Sequence, residues 1–527
     1  MSVLGSKIDP KSEKFVANKA WMDGKLKELK ELDKKSKWQG EDKHIDRAKK
    51  AGKMLASDRI AALLDKDSPY LDLMPYAGFG RESFALGGTM SAGIGLVSGQ
   101  LTMIIANIAT IKGGSIDKVT LEKAMRLNEI AMENRLPAVY LVESAGANLK
   151  EQQNIFNLGG TNFREITRRS KEGIPTISVV FGNSTAGGAY IPGMSDYVVM
   201  IKNQSKVFLA GPPLVKMATG EDSTDEELGG ADMHSRISGV SDFLAKDESE
   251  AIDIARELMA MINKDCNVND FPPKGKAPKY DASENMGIVT VDHKRPFDMR
   301  DIIARTVDGS EFLEFKAEYG PTLVTGCAHI HGYRVGILAN NGVLVSEAAN
   351  KGAHFIQLCN RSDTPLIFFQ NISGFMVGKK YEQGGIIKDG AKMVNAVSNS
   401  TVPAITVMIG NSYGAGNYAM CGRAFQPRFL FSWPNSKIAV MGAEALAGVM
   451  QIIQVKSGKL TIEEAQAGAE ELTKQVDDQS SAFYASGQLW DDGVIDPAKT
   501  REYLGMGLTV IHNTEVKGTH NFGVFRM

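Results

Sequence analysis

Short runs of apolar residues alternate with longer amphipathic stretches along most of this chain. The runs are nearly uninterrupted and rich in β-branched and aromatic residues, which is typical of strands buried on both faces of a sheet. The runs that predict such strands are AVYLV at 138–142, TISVVF at 176–181, LIFFQ at 366–370 and AITVMI at 404–409. The stretches that predict helices lie at 120–135, 346–362 and 385–400. The alternation predicts an α/β fold with parallel or mixed sheets covered by helices.

The same spacing of prolines and glycines accompanies both pairs of predicted strands. The prolines before the strands are 38 residues apart in each copy (175 − 137 and 403 − 365), and a glycine-rich turn begins 7 residues after the second proline. The matched positions are Pro137, Pro175 and Gly182 in the first copy, and Pro365, Pro403 and Gly410 in the second. Further upstream, SGQLTMIIAN, which ends at Asn107, resembles HGYRVGILAN, which ends at Asn340. Fixed offsets of this length predict two tandem domains built on one fold.

The length of the chain agrees with this duplication, because 527 residues exceed what one compact core usually holds. The stretch at 265–280 gathers Pro, Lys, Gly and Asp and loses periodicity, which predicts a linker between a domain at 1–270 and a domain at 280–527. Residues 10–65 carry apolar residues at helical spacing and predict surface helices packed on the first domain.

Composition narrows the choice of partners. A formal charge of −2 gives no reason to expect nucleic acid or an anionic membrane as a general partner. No run approaches the roughly 20 apolar residues of a membrane span, and the beginning of the sequence lacks a signal-peptide core, so we expect a cytoplasmic protein. Cys266, Cys327, Cys359 and Cys421 are scattered without a C-x-x-C pair, so we expect small buried residues and no metal site.

The two glycine-rich turns, GNSTAGGAY from Gly182 and GNSYGAGNY from Gly410, carry the candidate chemistry. Each follows a predicted strand and precedes a helix, so several main-chain N–H groups point into one small volume, a nest that binds an oxyanion. Neither turn contains His, Cys, Lys, Asp or Glu between its glycines, so a proton acceptor must come from elsewhere. The alternative is that the glycines only permit close packing of strand and helix.

A second alternative is a serine hydrolase. Residues 410–414 satisfy G-x-S-x-G, the nucleophile-elbow pattern, with Ser412 as the nucleophile. His512 and His520 lie downstream, where a triad histidine is expected. The first copy has Ala186 where the pattern requires its second glycine, which disfavours this alternative.

Four long stretches are more specific than any short motif: FLAGPPLVKMATGE at 208–221, LGGADMHSRISGVSD at 228–242, NISGFMVGKKYEQGGIIKDGAKM at 371–393 and SYGAGNYAMCGRAFQPRFLFSWPNSKIAVMG at 412–442. With these stretches the chain resembles the carboxyltransferase (β) subunit of biotin-dependent acyl-CoA carboxylases, most of all the methylcrotonyl-CoA carboxylase branch. The resemblance covers nearly the whole chain and implies two tandem crotonase-like (ClpP/crotonase) domains.

This resemblance implies carboxyl transfer from carboxybiotin, carried by a partner subunit, to a carbon acid of an acyl-CoA. The biotin ureido nitrogen would take the substrate proton. The amides of Gly187 and Gly188 would hold the thioester oxygen, and those of Gly414 and Ala415 the biotin ureido oxygen. The expected substrate-binding residues are Lys112, Gly113, Gly114, Ala145, Gly146, Ala186, Phe375, Gly416, Asn417 and Tyr418.

The resemblance also implies partners and a substrate. We expect a biotin carboxylase and biotin carrier (α) subunit, a hexamer of β subunits, and sites formed between the N-terminal domain of one subunit and the C-terminal domain of another. The expected substrate is 3-methylcrotonyl-CoA, from leucine degradation, or a related branched acyl-CoA. Propionyl- or acetyl-CoA carboxylation and a carboxyacyl-CoA decarboxylase are the alternatives. Asn417-Tyr418, where the propionyl- and acetyl-CoA enzymes usually have Tyr-Asp, argues against the first of these.

Overall fold

The computed structural model describes residues 1–262, 270–292, 295–457 and 461–525. It divides into two compact units: an N-terminal unit, Leu32–Phe271, and a C-terminal unit, Met1–Glu31 with Pro272–Met527. The predicted domain boundaries at 270 and 280 stay a prediction. Cys266 and the start of the predicted linker lie outside the described residues.

The strands, in chain order, form one sheet in each unit. They are β1 (Ser2–Val3), β2 (Tyr70–Asp72), β3 (Met90–Val97), β4 (Gln100–Asn107), β5 (Ala138–Ser144), β6 (Thr176–Thr185), β7 (Tyr197–Ile201), β8 (Lys206–Phe208), β9 (Phe243–Ala245), β10 (Glu311–Glu314), β11 (Leu323–Ile330), β12 (Tyr333–Asn340), β13 (Leu366–Ile372), β14 (Ala404–Tyr413), β15 (Phe429–Ser432), β16 (Lys437–Ala439) and β17 (Gly493–Val494).

The helices cover these sheets and follow the predicted alternation. They are α1 (Glu13–Ser36), α2 (Asp42–Lys50), α3 (Ala56–Leu63), α4 (Lys118–Glu133), α5 (Gln152–Lys171), α6 (Tyr190–Gly193), α7 (Pro212–Thr219), α8 (Asp225–Gly229), α9 (Ala231–Met233), α10 (Glu248–Ile262), α11 (Asn285–Ile288), α12 (Met299–Ala304), α13 (Ser346–Arg361), α14 (Lys379–Gln383), α15 (Ile386–Asn399), α16 (Gly414–Ala419), α17 (Ala443–Lys456), α18 (Ile462–Gln479), α19 (Ala482–Gly487) and α20 (Thr500–Ile511). None of the helices in the described ranges has both the length and the apolar character that crossing a membrane requires.

Within the described residues, the two sheets share one arrangement of eight strands, and the C-terminal sheet has β1 as an additional edge strand. The N-terminal sheet runs β2-β3-β4-β5-β6-β7-β9, with β8 beside the end of β6, and the C-terminal sheet runs β1-β10-β11-β12-β13-β14-β15-β17, with β16 beside the end of β14. In both, the first hairpins are antiparallel and the remaining strands are parallel. The mixed α/β fold predicted from the sequence is confirmed, and so is the duplication.

Strand register shows how closely the copies correspond. In the N-terminal unit Ala138 pairs with Thr176, and after a bulge Ser144 pairs with Ser184. The corresponding pairs in the C-terminal unit are Leu366 with Ala404 and Ile372 with Ser412. The bulge bends the end of each strand pair immediately before the glycine-rich turn. The bend therefore sets the direction in which each turn leaves its sheet.

The predicted strands are buried, as their apolar composition requires. Ile104, Val139, Ile177, Val179 and Phe181 pack together in the core of the N-terminal unit, each at most 1% exposed. Burial of one such side chain contributes about 1.5–3 kcal/mol to stability. The sheet is therefore a rigid support for the turns at its edge.

The prediction for the N-terminal helices is wrong in part. The first half of α1 packs on the C-terminal unit, where Asn18 Nδ2 donates to the Gly287 carbonyl at 3.0 Å. The Phe15 ring lies so close to Gly287 that a Cβ at that glycine would overlap it. Helical periodicity identifies the apolar face of a helix but not the surface that the face meets, which explains the error.

Candidate active site

The first glycine-rich turn is a nest at the end of β6, formed by residues 186–188. Ala186 has a φ of 54°, a left-handed conformation that alanine rarely adopts, and it turns the chain from β6 into a 3₁₀ turn. In the described chain, the amides of Gly187 and Gly188 donate to no group outside their own turn. The first N–H groups of a helical segment lack internal partners. Among the residues that the structure describes, the turn thus leaves both amides without an acceptor from elsewhere in the protein; Gly187 is partly exposed, whereas Gly188 is buried.

Two loops border this first nest. Ala145 N donates to the Gly113 carbonyl at 2.9 Å, and Gly146 has a φ of 88°. A Cβ on Gly188 would lie 3.8 Å from Gly146 Cα, so these residues are in direct contact. The structure therefore brings Gly113, Ala145 and Gly146 beside Ala186, Gly187 and Gly188.

The lysine expected at this site is directed elsewhere. Lys112 Nζ is exposed and donates to the Ser83 carbonyl at 3.0 Å. Gly114 is buried, and its carbonyl accepts from Ser144 Oγ at 2.7 Å, which ties the loop to the end of β5. Gly114 therefore supports the neighbouring loop from inside. Gly113 is exposed, and its carbonyl accepts from Ala145 N.

The second nest is formed by residues 414–416 at the start of α16. Gly414 has a φ of 56°, and a Cβ there would lie 3.0 Å from the Val440 carbonyl. Ala415 is exposed, and Gly416 is packed so tightly that a Cβ on it would lie 2.7 Å from Ile372 Cγ1. Within the described residues, the amides of Gly414 and Ala415 have no partner outside α16.

Side chains of the second turn separate into buried and exposed groups. Asn417 is buried and donates from Nδ2 to Ser412 Oγ at 2.7 Å. Tyr418 is exposed, and its ring stacks on Phe425 with the centroids 5.7 Å apart. Phe375 forms a bridge to Leu344 and packs against Gly390. Asn417 therefore supports the turn from inside, whereas Tyr418 is directed to its surface.

Strand register confirms the alignment of the two nests that the fixed offset between Gly182 and Gly410 predicts. It places Ala186 opposite Gly414, and both have a left-handed φ. Gly187 then corresponds to Ala415, and Gly188 to Gly416. The predicted amide pairs, 187–188 and 414–415, are therefore not at equivalent positions. Ala186 adopts the conformation that glycine usually supplies.

The hydrolase alternative is wrong. Ser412 is fully buried within β14, where its Oγ donates to Gln370 Oε1 at 2.5 Å and accepts from Asn417. His512 Nδ1 contacts the Leu508 carbonyl, and His520 contacts Arg361, so neither histidine serves Ser412. A nucleophile elbow exposes its serine at the turn, whereas here the residue at the turn is Gly414.

A cavity of about 550 Å³ opens beside the first nest, lined in part by Gly113, Ser144 and Ala145. His44 and Arg47 of α2 lie on its wall. No sequence pattern indicates that these two residues line a cavity, because α2 has the composition of an ordinary charged surface helix. A cavity of this size, with apolar and cationic lining, suits an extended anionic ligand.

Four further charged residues form the Arg59 cluster: Lys53, Arg59 and Glu143, which line the cavity, and Glu248, which pairs with Arg59. Arg59 contacts Glu143 at 2.7 Å and Glu248 at 3.0 Å, and Lys53 contacts Glu143 at 2.5 Å. This cluster also has no sequence pattern, since its members come from separate segments of the chain.

Titratable groups at the nests are scarce. Burial raises the pKa of Tyr413, beside the second nest, to about 12, so this phenol is neutral and no base. Within the part of the chain that the structure describes, no His, Cys, Asp or Glu side chains are grouped to hold a metal ion. Cys327, Cys359 and Cys421 are free thiols, and burial raises the pKa of Cys421 to about 12. The nests offer main-chain donors as their chemistry.

Comparison with known proteins agrees with this geometry. A family model described as carboxyl transferase domain matches residues 47–525. The chain is 52% identical over 531 residues to the probable biotin-dependent acyl-coenzyme A carboxylase beta2 subunit of Mycobacterium tuberculosis, with 100% of both chains covered. It is 46% identical to the mitochondrial methylcrotonoyl-CoA carboxylase beta chain of Dictyostelium discoideum, covering 100% of this chain and 91% of that one. The solved β subunit of P. aeruginosa geranyl-CoA carboxylase superposes with a TM-score of 0.90 at 41% identity, covering 99% of each chain.

Proposed function

The chain belongs to the carboxyl transferase family as the β subunit of a biotin-dependent acyl-CoA carboxylase, and we propose that it carboxylates 3-methylcrotonyl-CoA or a related branched acyl-CoA. The family fixes the reaction class: a carboxyl group passes from carboxybiotin on a partner subunit to an acyl-CoA. The acyl group is the open part of the proposal. Support for a branched, unsaturated acyl group comes from the relatives named above and from Asn417-Tyr418 in place of Tyr-Asp.

The observation that carries the proposed mechanism is the pair of unpartnered amide clusters. Removing a proton from a carbon beside a thioester places negative charge on the thioester oxygen. We assign that oxygen to the amides of Gly187 and Gly188, because both are free of partners outside their turn. Each such donor contributes about 100- to 1000-fold in rate, because it is already oriented when the charge develops.

The second nest has the features that a urea-type carbonyl requires. The Gly414 and Ala415 amides are free of outside partners in the described chain, and the turn has no acidic side chain that would compete for them. Carboxybiotin, when bound, supplies the carboxyl group and a ureido nitrogen that accepts the substrate proton. The protein's own task at this nest is to bind and orient a neutral carbonyl oxygen, which main-chain N–H groups do without a charge.

The cavity beside the first nest is the proposed entry for the CoA portion of the substrate. Gly113 and Ala145, which border the first nest, also line this cavity. His44 and Arg47 lie on its wall, and a cation there suits the phosphate groups of CoA. The cavity therefore joins the proposed thioester site to an anion-binding wall within one unit.

We further propose that the sites are completed by assembly, in a hexamer with an α partner. Large apolar residues are exposed at corresponding positions of the two units: Leu149, Tyr190 and Leu209 in the N-terminal unit, and Val377, Tyr418 and Val440 in the C-terminal unit. Tyr190 and Tyr418 each follow a nest by two residues, and the Val440 carbonyl faces Gly414. Large exposed apolar residues grouped around one feature mark interaction surfaces. Corresponding surfaces on the two units favour packing of an N-terminal nest edge on the C-terminal nest edge of another copy. A cytoplasmic location and a role in leucine degradation stay predictions.

Reconstitution tests the proposal. The purified chain is mixed with a biotin carboxylase and carrier partner, bicarbonate and ATP, and each acyl-CoA is followed by the mass of its carboxylated product. The panel holds 3-methylcrotonyl-, geranyl-, propionyl- and acetyl-CoA. We expect the highest kcat/KM with 3-methylcrotonyl-CoA. Preference for propionyl- or acetyl-CoA would overturn the substrate, and no product from any acyl-CoA with a competent partner would overturn the function.

A further inference from the structure

The Arg59 cluster joins three separate segments of the N-terminal unit at the wall of the cavity. The Arg59 side chain is 2% exposed, and its guanidinium donates to Glu143 Oε2 from Nη1 and to Glu248 Oε1 from Nη2. Lys53 and Arg59 face two carboxylates, so the cluster has no net formal charge. A buried pair of this kind tolerates little displacement, because separating the partners leaves a charge without compensation.

Glu248, in the first turn of α10, fixes the inner side of the cluster. Its carboxylate also accepts from Met54 N at 3.0 Å and from Gln204 Nε2 at 2.7 Å. The Arg59 guanidinium lies 4.2 Å from the centroid of the Phe181 ring in β6, which limits its tilt. Arg59 is therefore held from two sides before it contacts Glu143.

Glu143 transmits this position to the first nest. It precedes Ser144 at the end of β5, and its carboxylate lies against Gly182 of β6, where a Cβ would overlap it. Gly146, three residues after Glu143, contacts the nest: a Cβ at Gly146 would lie 2.7 Å from the Thr185 carbonyl oxygen and 3.6 Å from Ala186 Cβ. The loop 143–146 thus connects the two features: Glu143 belongs to the Arg59 cluster, and Gly146 contacts the nest.

The C-terminal unit supplies an internal comparison. Asn371 stands at the position of Glu143, and its Oδ1 accepts from Asn411 N at 3.2 Å. A Cβ on Gly410 would overlap Asn371, as one on Gly182 would overlap Glu143. A neutral amide is therefore sufficient to fold the corresponding loop. The buried charges of the N-terminal unit need a reason beyond the fold of this loop.

We propose that Arg59 and Glu143 are positioning residues for the thioester nest. Their ion pair sets the loop 143–146, and Gly146 of that loop sets the direction of the Gly187 and Gly188 amides. The inference rests on the proposed function of this nest. A displacement of about 1 Å at a reacting group lowers the rate by roughly 100-fold, so loosening the loop lowers kcat more than it weakens binding.

The test compares Glu143→Gln with Arg256→Gln. Glu143→Gln keeps the shape of the side chain and removes its charge. Arg256→Gln is the matched control, because Arg256 pairs with Asp65 at 2.8 Å and donates to Leu63 at the end of α3, without touching the loop 143–146. In the reconstituted assay we expect Glu143→Gln to lower kcat by about 10- to 100-fold with KM within about 3-fold. We expect Arg256→Gln to keep kcat within about 2-fold at a similar loss of Tm.

A second variant and a second readout complete the test. Arg59→Lys keeps a cation and should fall between Glu143→Gln and the native chain. Hydrogen–deuterium exchange of residues 144–148 and 184–190 should rise in Glu143→Gln and stay unchanged in Arg256→Gln, whether or not the acyl-CoA assay gives product. Equal kcat in Glu143→Gln and the control, a loss confined to KM, or unchanged exchange would each overturn the positioning role. If native chain and control both form no product, the proposed function fails while exchange still decides this inference.

Discussion

Replacing Gly187 with valine separates the catalytic use of the first nest from its structural use. An ideal Cβ at Gly187 meets only Phe163 Cζ, at 3.8 Å, which is ordinary van der Waals contact, and the backbone there is not left-handed. The Phe163 ring is itself supported by Tyr190, with the centroids 5.5 Å apart. The fold therefore accommodates the valine, whereas its methyl groups enter the open space beside the free amides.

The expected magnitude follows from the hydrogen bonds at stake. A thioester oxygen held away from the Gly187 and Gly188 amides loses one or both donors, and each is worth about 100- to 1000-fold in kcat. That corresponds to about 2.7–4 kcal/mol of transition-state stabilisation for one donor. Loss of stability from the valine itself is within about 1 kcal/mol, because no buried group is displaced.

The assay is reconstituted carboxylation with Gly193→Val as the matched control. Gly193 ends α6, is exposed, and has no heavy atom within 4 Å of an ideal Cβ. Both variants should keep a Tm within a few degrees of the native chain. Gly187→Val should lose at least 100-fold in kcat, and Gly193→Val less than 2-fold. If Gly187→Val retained a third or more of native kcat, the amides would not stabilise charge in the reaction.

Three further outcomes are expected. Arg47→Ala should raise KM for the acyl-CoA by about 3- to 10-fold with little change in kcat, because one exposed charge contact to a phosphate is lost; steady-state kinetics measure this. Val440→Asp should dissociate the assembly and abolish activity. Met261→Asp, which also changes an exposed apolar residue, should do neither. Size-exclusion chromatography with light scattering measures the size of the assembly. Burial raises the pKa of Asp491 to about 6 from an unfolded value near 3.8, so the native state binds the extra proton and stability falls as pH rises through 6. The Asp491→Asn variant does not have this proton to lose. Its free energy of unfolding, relative to that of the native chain, should therefore be higher at pH 8 than at pH 5. Urea titrations at the two pH values measure this relative stability, and no change in it between pH 5 and pH 8 would contradict the prediction.

Much of the fold was predictable because it depends on local patterns. The strand expected at 366–370 is β13, and the helix expected at 346–362 is α13. Prediction failed for the first half of α1, whose apolar face meets the C-terminal unit around Gly287. Which surface covers a helix is decided by distant residues, and periodicity carries no information about them.

At the site, the turns and their alignment were predictable from the fixed offset, whereas the conformation of Ala186 was not. Ala186 takes the left-handed position that Gly414 takes in the other copy, although alanine rarely adopts it. The G-x-S-x-G match also misled, since Ser412 is enclosed by Gln370 and Asn417. A sequence pattern indicates which backbone conformations are possible, and only the folded chain shows which of them each residue adopts.

The sequence by itself determined the duplication, the α/β alternation and the two unpartnered amide turns, because proline spacing, apolar runs and glycines act through the local backbone. Only the tertiary structure decided what surrounds those turns. The Arg59 cluster takes its members from residues 53, 59, 143 and 248, and the cavity takes His44 from α2 and Gly113 from a loop. Such groups meet because whole sheets and helices pack at fixed distances. Their interaction energy depends on a separation in space that chain order does not encode.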